Sequence, residues 1–156
     1  MAQVLLYLAS KNDKMSAGDC FKVFNPRKIL VPFNIRSKDL NGVYHALALA
    51  ERMQAKVIIL RIDMNENKGF NEEKTWVEDT IIDLIQSASR QGLQVSYHIA
   101  QDRFEKEIRG LIAQENIDLL VFGAGDKRMA KALKKLRPYL KAQFIQVKEK
   151  GNVHYV

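Results

Sequence analysis

Residues 118–128 read DLLVFGAGDKR, a run of large apolar side chains that ends in two glycines and then meets one acidic and two basic residues. A short apolar run bounded by turn signals is typical of a strand buried on both faces, as in a parallel sheet covered by helices. Gly123 and Gly125 let the backbone turn sharply or approach another group closely. The stretch therefore predicts a buried strand, a tight turn and the start of a helix.

The helix start that follows this strand is a candidate anion site. If Asp126 or a neighbour caps the helix, the free N–H groups of its first turn lie at the strand end beside Lys127 and Arg128, a favourable place for phosphate. A lone Gly-x-Gly is a weak signal, however, and is equally typical of a strand-to-helix connection that binds nothing. Both interpretations fit the sequence.

The chain from Arg27 onward alternates strand and helix patterns. The predicted strands and helical apolar stripes are, in chain order, strand 28–33, helix 40–50, strand 56–62, helix 77–88, strand 93–99, helix 104–112, strand 117–122, helix 129–140 and strand 144–147. Such alternation implies right-handed crossovers and a mainly parallel sheet. The predicted fold class is a doubly wound α/β domain with five parallel strands and helices on both faces.

The two ends of the chain depart from this pattern. Residues 1–26 combine a short apolar segment with a polar stretch and are predicted to form an N-terminal arm or linker, so that residues 27–156 make up the domain. The arm must bury its apolar side chains on this domain or on a partner. Near the other end, Lys150-Gly151-Asn152 is a hairpin signal that can fold the tail back on the fifth strand.

Local signals within the domain predict several side-chain roles. Ser37 is expected to cap the first helix, and Trp76 is expected to lie in the core or at a dimer edge. The acidic residues of the second helix, among them Glu78, Asp79 and Asp83, are predicted to form a solvated face because they alternate around its apolar stripe.

The net charge of +7 is concentrated in one segment. Residues 127–141 contain seven of the 25 Lys and Arg residues and no acidic residue, so the other 18 basic side chains equal the 18 acidic ones. The predicted fourth helix is therefore a basic helix on an otherwise neutral domain. Its exposed lysines, including Lys134 and Lys135, are expected to solubilise it, with Lys127 and Arg128 kept apart as the residues of the anion site.

Composition excludes several classes of protein. With 47% apolar and 28% charged residues the chain is typical of a globular domain, and it contains no apolar stretch long enough for a transmembrane helix. A signal peptide is not indicated, and the single Cys20 agrees with a reducing compartment, so a cytoplasmic location is expected.

Sequence signals for chemistry are missing. The three histidines, His45, His98 and His154, have no partners at metal-ligand spacing, so no metal site is expected. No nucleophile elbow and no phosphate loop of the Gly-x-x-x-x-Gly-Lys type occurs, so no catalytic residue is proposed and the protein is not expected to be an enzyme.

Three segments resemble the universal stress protein family. Residues 28–34 (KILVPFN) are similar to its opening strand, residues 46–55 (ALALAERMQA) to its first helix, and residues 118–123 (DLLVFG) to its fourth strand. The resemblance runs from about residue 27 to residue 147. It implies a five-stranded sheet of order 3-2-1-4-5 and frequent dimerisation through the last strand.

The resemblance is closer to the family members that lack the ATP-binding motif. ATP-binding members carry an Asp where Asn34 stands and a glycine where Asp126 stands, followed by a Gly-Ser or Gly-Thr pair, whereas no glycine occurs here between Gly125 and Gly151. An acidic side chain at the turn would also repel phosphate unless Lys127 and Arg128 compensate. The resemblance therefore implies that no cofactor is bound and that ATP and AMP are disfavoured.

If the strand order is 3-2-1-4-5, the first and fourth strands are neighbours, and their carboxyl ends line one crevice. The candidate ligand-binding residues are Asn34, Gly123, Gly125, Lys127 and Arg128. A homodimer is expected through the fifth strand, whose free edge a second copy can cover, unless residues 148–156 cover that edge within the same chain.

Two classes of function fit these features. The first is a small, cytoplasmic, non-enzymatic regulatory or binding module of the universal stress protein type, with an anionic small ligand or an acidic protein partner. The second is a nucleic-acid-binding protein that contacts phosphates through its basic fourth helix. The first is favoured because no nucleic-acid motif is present and the acidic second helix opposes a large nucleic-acid footprint.

Overall fold

The structure, a computed structural model, describes residues 27–64 and 76–148, and the backbone of residues 153–155. The predicted N-terminal arm, Cys20 and the hairpin signal at 150–152 lie outside these residues. The described elements are, in chain order, β1 (Lys28–Asn34), α1 (Asn41–Met53), β2 (Lys56–Ile62), α2 (Trp76–Arg90), β3 (Val95–Ile99), α3 (Phe104–Glu115), β4 (Leu119–Gly123), α4 (Lys127–Leu136), a 3-10 turn (Arg137–Tyr139), β5 (Gln143–Val147) and β6 (Val153–Tyr155).

The strands form one sheet of order β3-β2-β1-β4-β5-β6. The first five strands are parallel, which confirms the predicted α/β fold and its 3-2-1-4-5 order. The parallel arrangement follows from the intervening helices, because each crossover returns the chain to the same edge of the sheet. Consequently α1, α2, α3 and α4 all begin at the edge where the strands end, and the candidate site lies there.

The tail adds a sixth strand to the sheet. β6 is antiparallel to β5, with Ile145 paired to Tyr155 and Val147 paired to Val153. The edge of β5 is therefore covered within the same chain, as the hairpin signal allowed. A homodimer stays a prediction, and with β6 in place it has to use a surface other than the β5 edge.

The sheet separates two hydrophobic cores, because alternate residues of its buried strands point to opposite faces. Ile29 and Val121 belong to the core covered by α1 and α2, whereas Leu30 and Phe122 belong to the core covered by α3 and α4. All four side chains are almost completely buried. β1 and β4 are thus fixed from both faces, so the residues at their carboxyl ends are held by a rigid scaffold.

An ion pair connects α2 to the sheet. Arg61 Nη1 on β2 lies 2.7 Å from Glu78 Oε1, and the two side chains are only 16% and 14% exposed. The prediction of a solvated face for the acidic residues of α2 is therefore wrong at Glu78, while Asp79 and Asp83 are exposed. The sequence pattern misses the pair because its partners lie on different elements.

α1 carries a buried histidine on its core side. His45 is 8% exposed, and within the described part of the chain its Nε2 has no hydrogen-bond partner. Burial lowers the pKa of His45, because the imidazolium ion loses its hydration. The folded protein therefore holds His45 neutral at a pH where the unfolded chain already binds a proton.

We expect the thermal stability to fall as the pH is lowered through about 6.5, the ordinary pKa of histidine, because protonation of His45 then favours the unfolded chain. The melting temperature of His45→Gln should decline less between neutral and mildly acidic pH than that of the wild type. The exposed His98 on β3 provides the control, and His98→Gln should follow the wild type. Identical pH profiles for wild type and His45→Gln would contradict this assignment.

Candidate functional site

The last residue of β1 contacts the cap of α4 at the carboxyl edge of the sheet. Asn34 Nδ2 donates a hydrogen bond to Asp126 Oδ2 at 2.7 Å. Asn34 Oδ1 accepts from the N–H groups of Arg36, at 3.2 Å, and Met64, at 3.4 Å. Both ends of the Asn34 amide are therefore engaged by the chain itself.

Asp126 is the N-cap of α4, as the sequence suggests. Its Oδ1 accepts a hydrogen bond from the N–H of Met129 at 3.1 Å. A capping carboxylate satisfies one of the free N–H groups of the first turn and also offsets the positive end of the helix dipole. One side chain thus holds both α4 and β1, and it places a negative charge where the sequence predicts a bound anion.

The glycine turn after β4 is in contact with Asp39, from the loop between β1 and α1. Asp39 Oδ2 accepts a hydrogen bond from the N–H of Gly125 at 2.6 Å, and Asp39 Oδ1 accepts from the N–H of Asn41 at 3.0 Å. Sequence reasoning did not identify Asp39. Its only local signal is a short acidic side chain two residues before a helix, which is common in helix-start loops.

The role predicted for Ser37 is wrong. α1 begins at Asn41, and its N-cap position, Leu40, makes no capping hydrogen bond through its side chain. Ser37 Oγ instead accepts a hydrogen bond from the N–H of Asp39 at 3.1 Å. Ser37 therefore supports the loop that presents Asp39, which explains why a serine stands there without capping the helix.

The glycines of the site provide space. A Cβ at Gly125 would lie 2.6 Å from Asp39 Oδ2, and a Cβ at Gly123 would overlap the same carboxylate. A Cβ at Gly42, on α1, would lie 2.9 Å from the backbone N of Gly123. Neither Gly123 nor Gly125 adopts a positive φ, so the close approach of Asp39 and α1 accounts for them.

These contacts leave little for a phosphate to bind at the turn. The Gly125 N–H that could hold an anion already donates to Asp39, and Asp126 occupies the start of α4. An incoming phosphate would have to displace one carboxylate and lie close to another, and like charges at such distances repel strongly. In this structure the Gly125 N–H is therefore bound by a carboxylate of the same chain.

A basic groove lies beside this turn, between α4 and β5. It has a volume of about 440 Å³ and is lined by Ala124, Lys127, Ala130, Lys131, Lys134, Lys135 and Gln146. We call it the lysine groove. The structure thus brings Lys127 together with Lys134 and Lys135, to which the sequence assigns separate roles, whereas Arg128 is exposed and does not line it.

An aromatic pocket lies on the other side of Asp39. It measures about 400 Å³ and is lined by Lys38, Asp39, Leu40, Asn41, Tyr44, Trp76 and Gly125. Tyr44 is 49% exposed and Trp76 is 54% exposed. The core position suggested for Trp76 is therefore wrong, and its role at a dimer edge stays a prediction.

Metal-binding clusters and membrane-spanning helices are both absent from the described residues. These residues contain no group of three or more His, Cys, Asp or Glu side chains placed to hold a metal ion. None of the helices in this part of the chain has the length and apolar character needed to cross a membrane.

Solved structures of universal stress proteins have the same architecture. One, in complex with cAMP, aligns with a TM-score of 0.56 over 79% of this chain and 97% of its own, at 15% identity. UspA from Lactobacillus plantarum aligns with a TM-score of 0.51 over 76% of this chain and 95% of its own, at 19% identity. The chain has the universal stress protein fold. The predicted resemblance is confirmed at this level.

A functionally unknown protein from Pseudomonas aeruginosa PAO1 aligns with a TM-score of 0.61 at 18% identity, over 83% of this chain and 46% of its own. The chain thus spans about half the length of that protein. No protein-family model matches the sequence, and no curated protein matches it. At these identities the likeness establishes the universal stress protein fold, and what the site binds has to be argued from its own residues.

Within this universal stress protein fold, one hydrogen bond joins the two residues at which the resemblance implies a departure from the ATP-binding pattern. The resemblance implies that ATP-binding members carry an Asp at the position of Asn34 and a glycine at that of Asp126. In this structure the two side chains are hydrogen-bonded to each other. An Asp at position 34 would place two carboxylates in contact, whereas the Asn amide donates a hydrogen bond. The two residues therefore fit as a pair.

We expect Asn34→Asp to destabilise the protein by about 1–3 kcal/mol, because it replaces a hydrogen bond with a contact between two carboxylates. Adding Asp126→Asn should restore most of that stability, since the amide introduced at position 126 could donate to the new carboxylate and still cap α4. Chemical denaturation of the two single variants and the double variant gives the coupling free energy. Additive effects would contradict the pairing.

Proposed function

We propose that the protein is a small, non-enzymatic binding module with the universal stress protein fold, in which ATP and AMP bind weakly or not at all. The observation that carries this proposal is the 2.6 Å hydrogen bond from the Gly125 N–H to the Asp39 carboxylate. A tethered carboxylate is present at high effective concentration, so a free phosphate competes with it poorly.

The connection between β4 and α4 supports the same conclusion. Only residues 124–126 separate the two elements, and Gly125 and Asp126 are both engaged by contacts within the chain. Phosphate loops need several converging backbone N–H groups. A universal stress protein has been solved in complex with cAMP, and we propose that this chain does not use its glycine turn for such a ligand.

We further propose that the protein acts in the cytoplasm and binds an acidic protein partner in preference to nucleic acid. Proteins that bind single-stranded nucleic acid combine a basic groove with aromatic side chains that stack on the bases. Here the exposed Tyr44 and Trp76 line one pocket together with Lys38 and Asp39, and the four lysines of the lysine groove line another. A homodimer is part of the proposal, with contacts away from the β5 edge.

The wild-type protein should bind ATP with a dissociation constant weaker than about 10 μM, which corresponds to roughly −7 kcal/mol. Isothermal titration calorimetry measures the affinity directly. Trp76 offers a second readout, because it is the only tryptophan in the chain and lies in the pocket next to Gly125. Tighter binding by both methods would contradict the closed turn.

Removing the internal anion should open the turn. We expect Asp39→Ala to gain stabilisation by phosphate that the wild type lacks, because Gly125 then has a free N–H, and phosphate at ten times its dissociation constant adds roughly 1.4 kcal/mol. Asp83→Ala removes the same charge from an exposed position on α2 and is the matched control. An equal shift of melting temperature in both variants, or none in Asp39→Ala, would reject the mechanism.

A further inference from the structure

The lysine groove is a charged surface that the closed turn does not explain. Its four lysines stand at positions i, i+4, i+7 and i+8 of α4, which places them on one side of the helix. All four are exposed, while Met129, Leu133 and Leu136 bury the opposite side in the core. The groove is therefore a continuous basic wall along the whole helix.

Within the part of the chain that the structure describes, no ion pair neutralises the charge of this wall. Among the described residues, the ion pairs involve Lys28, Arg36, Arg61 and Lys106, and none of the groove lysines. The segment 127–141 has no acidic residue, and the charges of the remaining chain balance. The net charge of +7 thus equals the charge of segment 127–141, and four of its seven basic residues line the groove.

Part of the lysine arrangement destabilises the helix that carries it, although Lys134 and Lys135 in the last turn interact favourably with the helix dipole. Lys127 and Lys131 are four residues apart, as are Lys131 and Lys135, and like charges at this spacing destabilise a helix. Lys127 also stands at the first position of α4, where a cation opposes the dipole. Charges of mixed sign would keep the helix soluble without this repulsion, so a solubilising role alone does not explain the pattern.

The dimensions of the groove fit an extended peptide. α4 has ten residues and is about 15 Å long, which matches four or five residues of an extended chain at about 3.3 Å each. Lysines four residues apart, such as Lys127, Lys131 and Lys135, are separated by about 6 Å along the helix axis. This separation is close to the roughly 6.6 Å between neighbouring side chains on one face of an extended strand. The alanines 124 and 130 leave room for a backbone, and the amide of Gln146 lies at the floor, 7% exposed.

We infer that the lysine groove binds an extended acidic segment of a partner protein, with Asp or Glu at alternate positions. Successive acidic side chains of the segment pair with successive lysines along α4, and this pairing relieves the repulsion between the lysines. A peptide fits better than a nucleic acid because none of the described residues that line the groove is aromatic and able to stack on a base. This inference rests on the proposed acidic protein partner, and it does not depend on the closed turn because the groove and the Asp39 contact are separate.

The test uses a fluorescein-labelled Glu-Ala repeat of about eight residues, which spans roughly 26 Å, and anisotropy at about 0.01 M salt, where screening is weak. Lys131→Glu with Lys134→Glu should weaken binding at least about tenfold, since two attractive contacts become repulsive. Arg137→Glu with Lys141→Glu makes the same charge change in the same segment outside the groove, and it should weaken binding less than about threefold. Circular dichroism checks that both variants are folded, and the neutral pair Lys131→Gln with Lys134→Gln replaces the first variant if it is not.

Three results would overturn the inference. Equal weakening in the groove variant and its control would show diffuse charge attraction without a groove. Absence of peptide binding to the wild type would show that the lysines serve no acidic segment. Tighter binding of an oligothymidylate with the same number of negative charges would assign the groove to nucleic acid.

Discussion

The hydrogen bond between Asp39 and the backbone N–H of Gly125 connects the two halves of the sheet edge on which the site is built. It holds the loop after β1 against the turn after β4, and it requires glycines wherever the carboxylate and α1 approach that turn. The contact is possible because β1 and β4 are neighbours buried on both faces, so their ends have little freedom to move apart.

The contact between Asp39 and Gly125 also explains how the turn after β4 is stable without a ligand, although another protein with this fold is solved in complex with cAMP. Backbone N–H groups that point into a crevice need acceptors, and water or a ligand usually supplies them. In this protein Asp39 and Asp126 supply them from within the chain. The acceptors are tethered, so they are present without the loss of freedom that accompanies ligand binding. Positive charge lies beside the crevice, in the lysine groove, whose lysines form no ion pair with the described residues.

Much of the architecture can be predicted from sequence, and the reasons are local. Apolar runs such as 119–123 are buried on both faces, and their alternation with helical stripes dictates parallel strands. Asp126 is recognisable as a cap because the signal lies within one helical turn. Asn34 and Asp126 are recognisable as departures from an ATP-binding pattern, although their contact with each other is not. The sequence offers two ways to cover the edge of β5, a second copy of the chain or the tail of the same chain, and the structure has the tail there as β6.

The rest depends on contacts between distant residues. Asp39 meets Gly125 across 86 positions of the chain, and a backbone N–H has no sequence signature. The helical pattern of the sequence predicts that Glu78 is solvated, because its partner Arg61 lies on another element. The sequence likewise predicts that Ser37 caps a helix, whereas its hydroxyl accepts a hydrogen bond from the N–H of Asp39 in the loop. The sequence analysis gives Lys127 a different role from Lys134 and Lys135 because they are seven and eight residues apart. The helix nevertheless places all three along one groove.

The central claim, that the turn after β4 is closed by an internal anion, is tested most directly at the amide of Gly125 by nuclear magnetic resonance. The account predicts that this N–H is protected from hydrogen exchange and that its chemical shift does not change when phosphate or ATP is added. Exchange at the rate of an unstructured peptide, or a saturable shift on addition of phosphate, would show that the turn is open and would contradict the account.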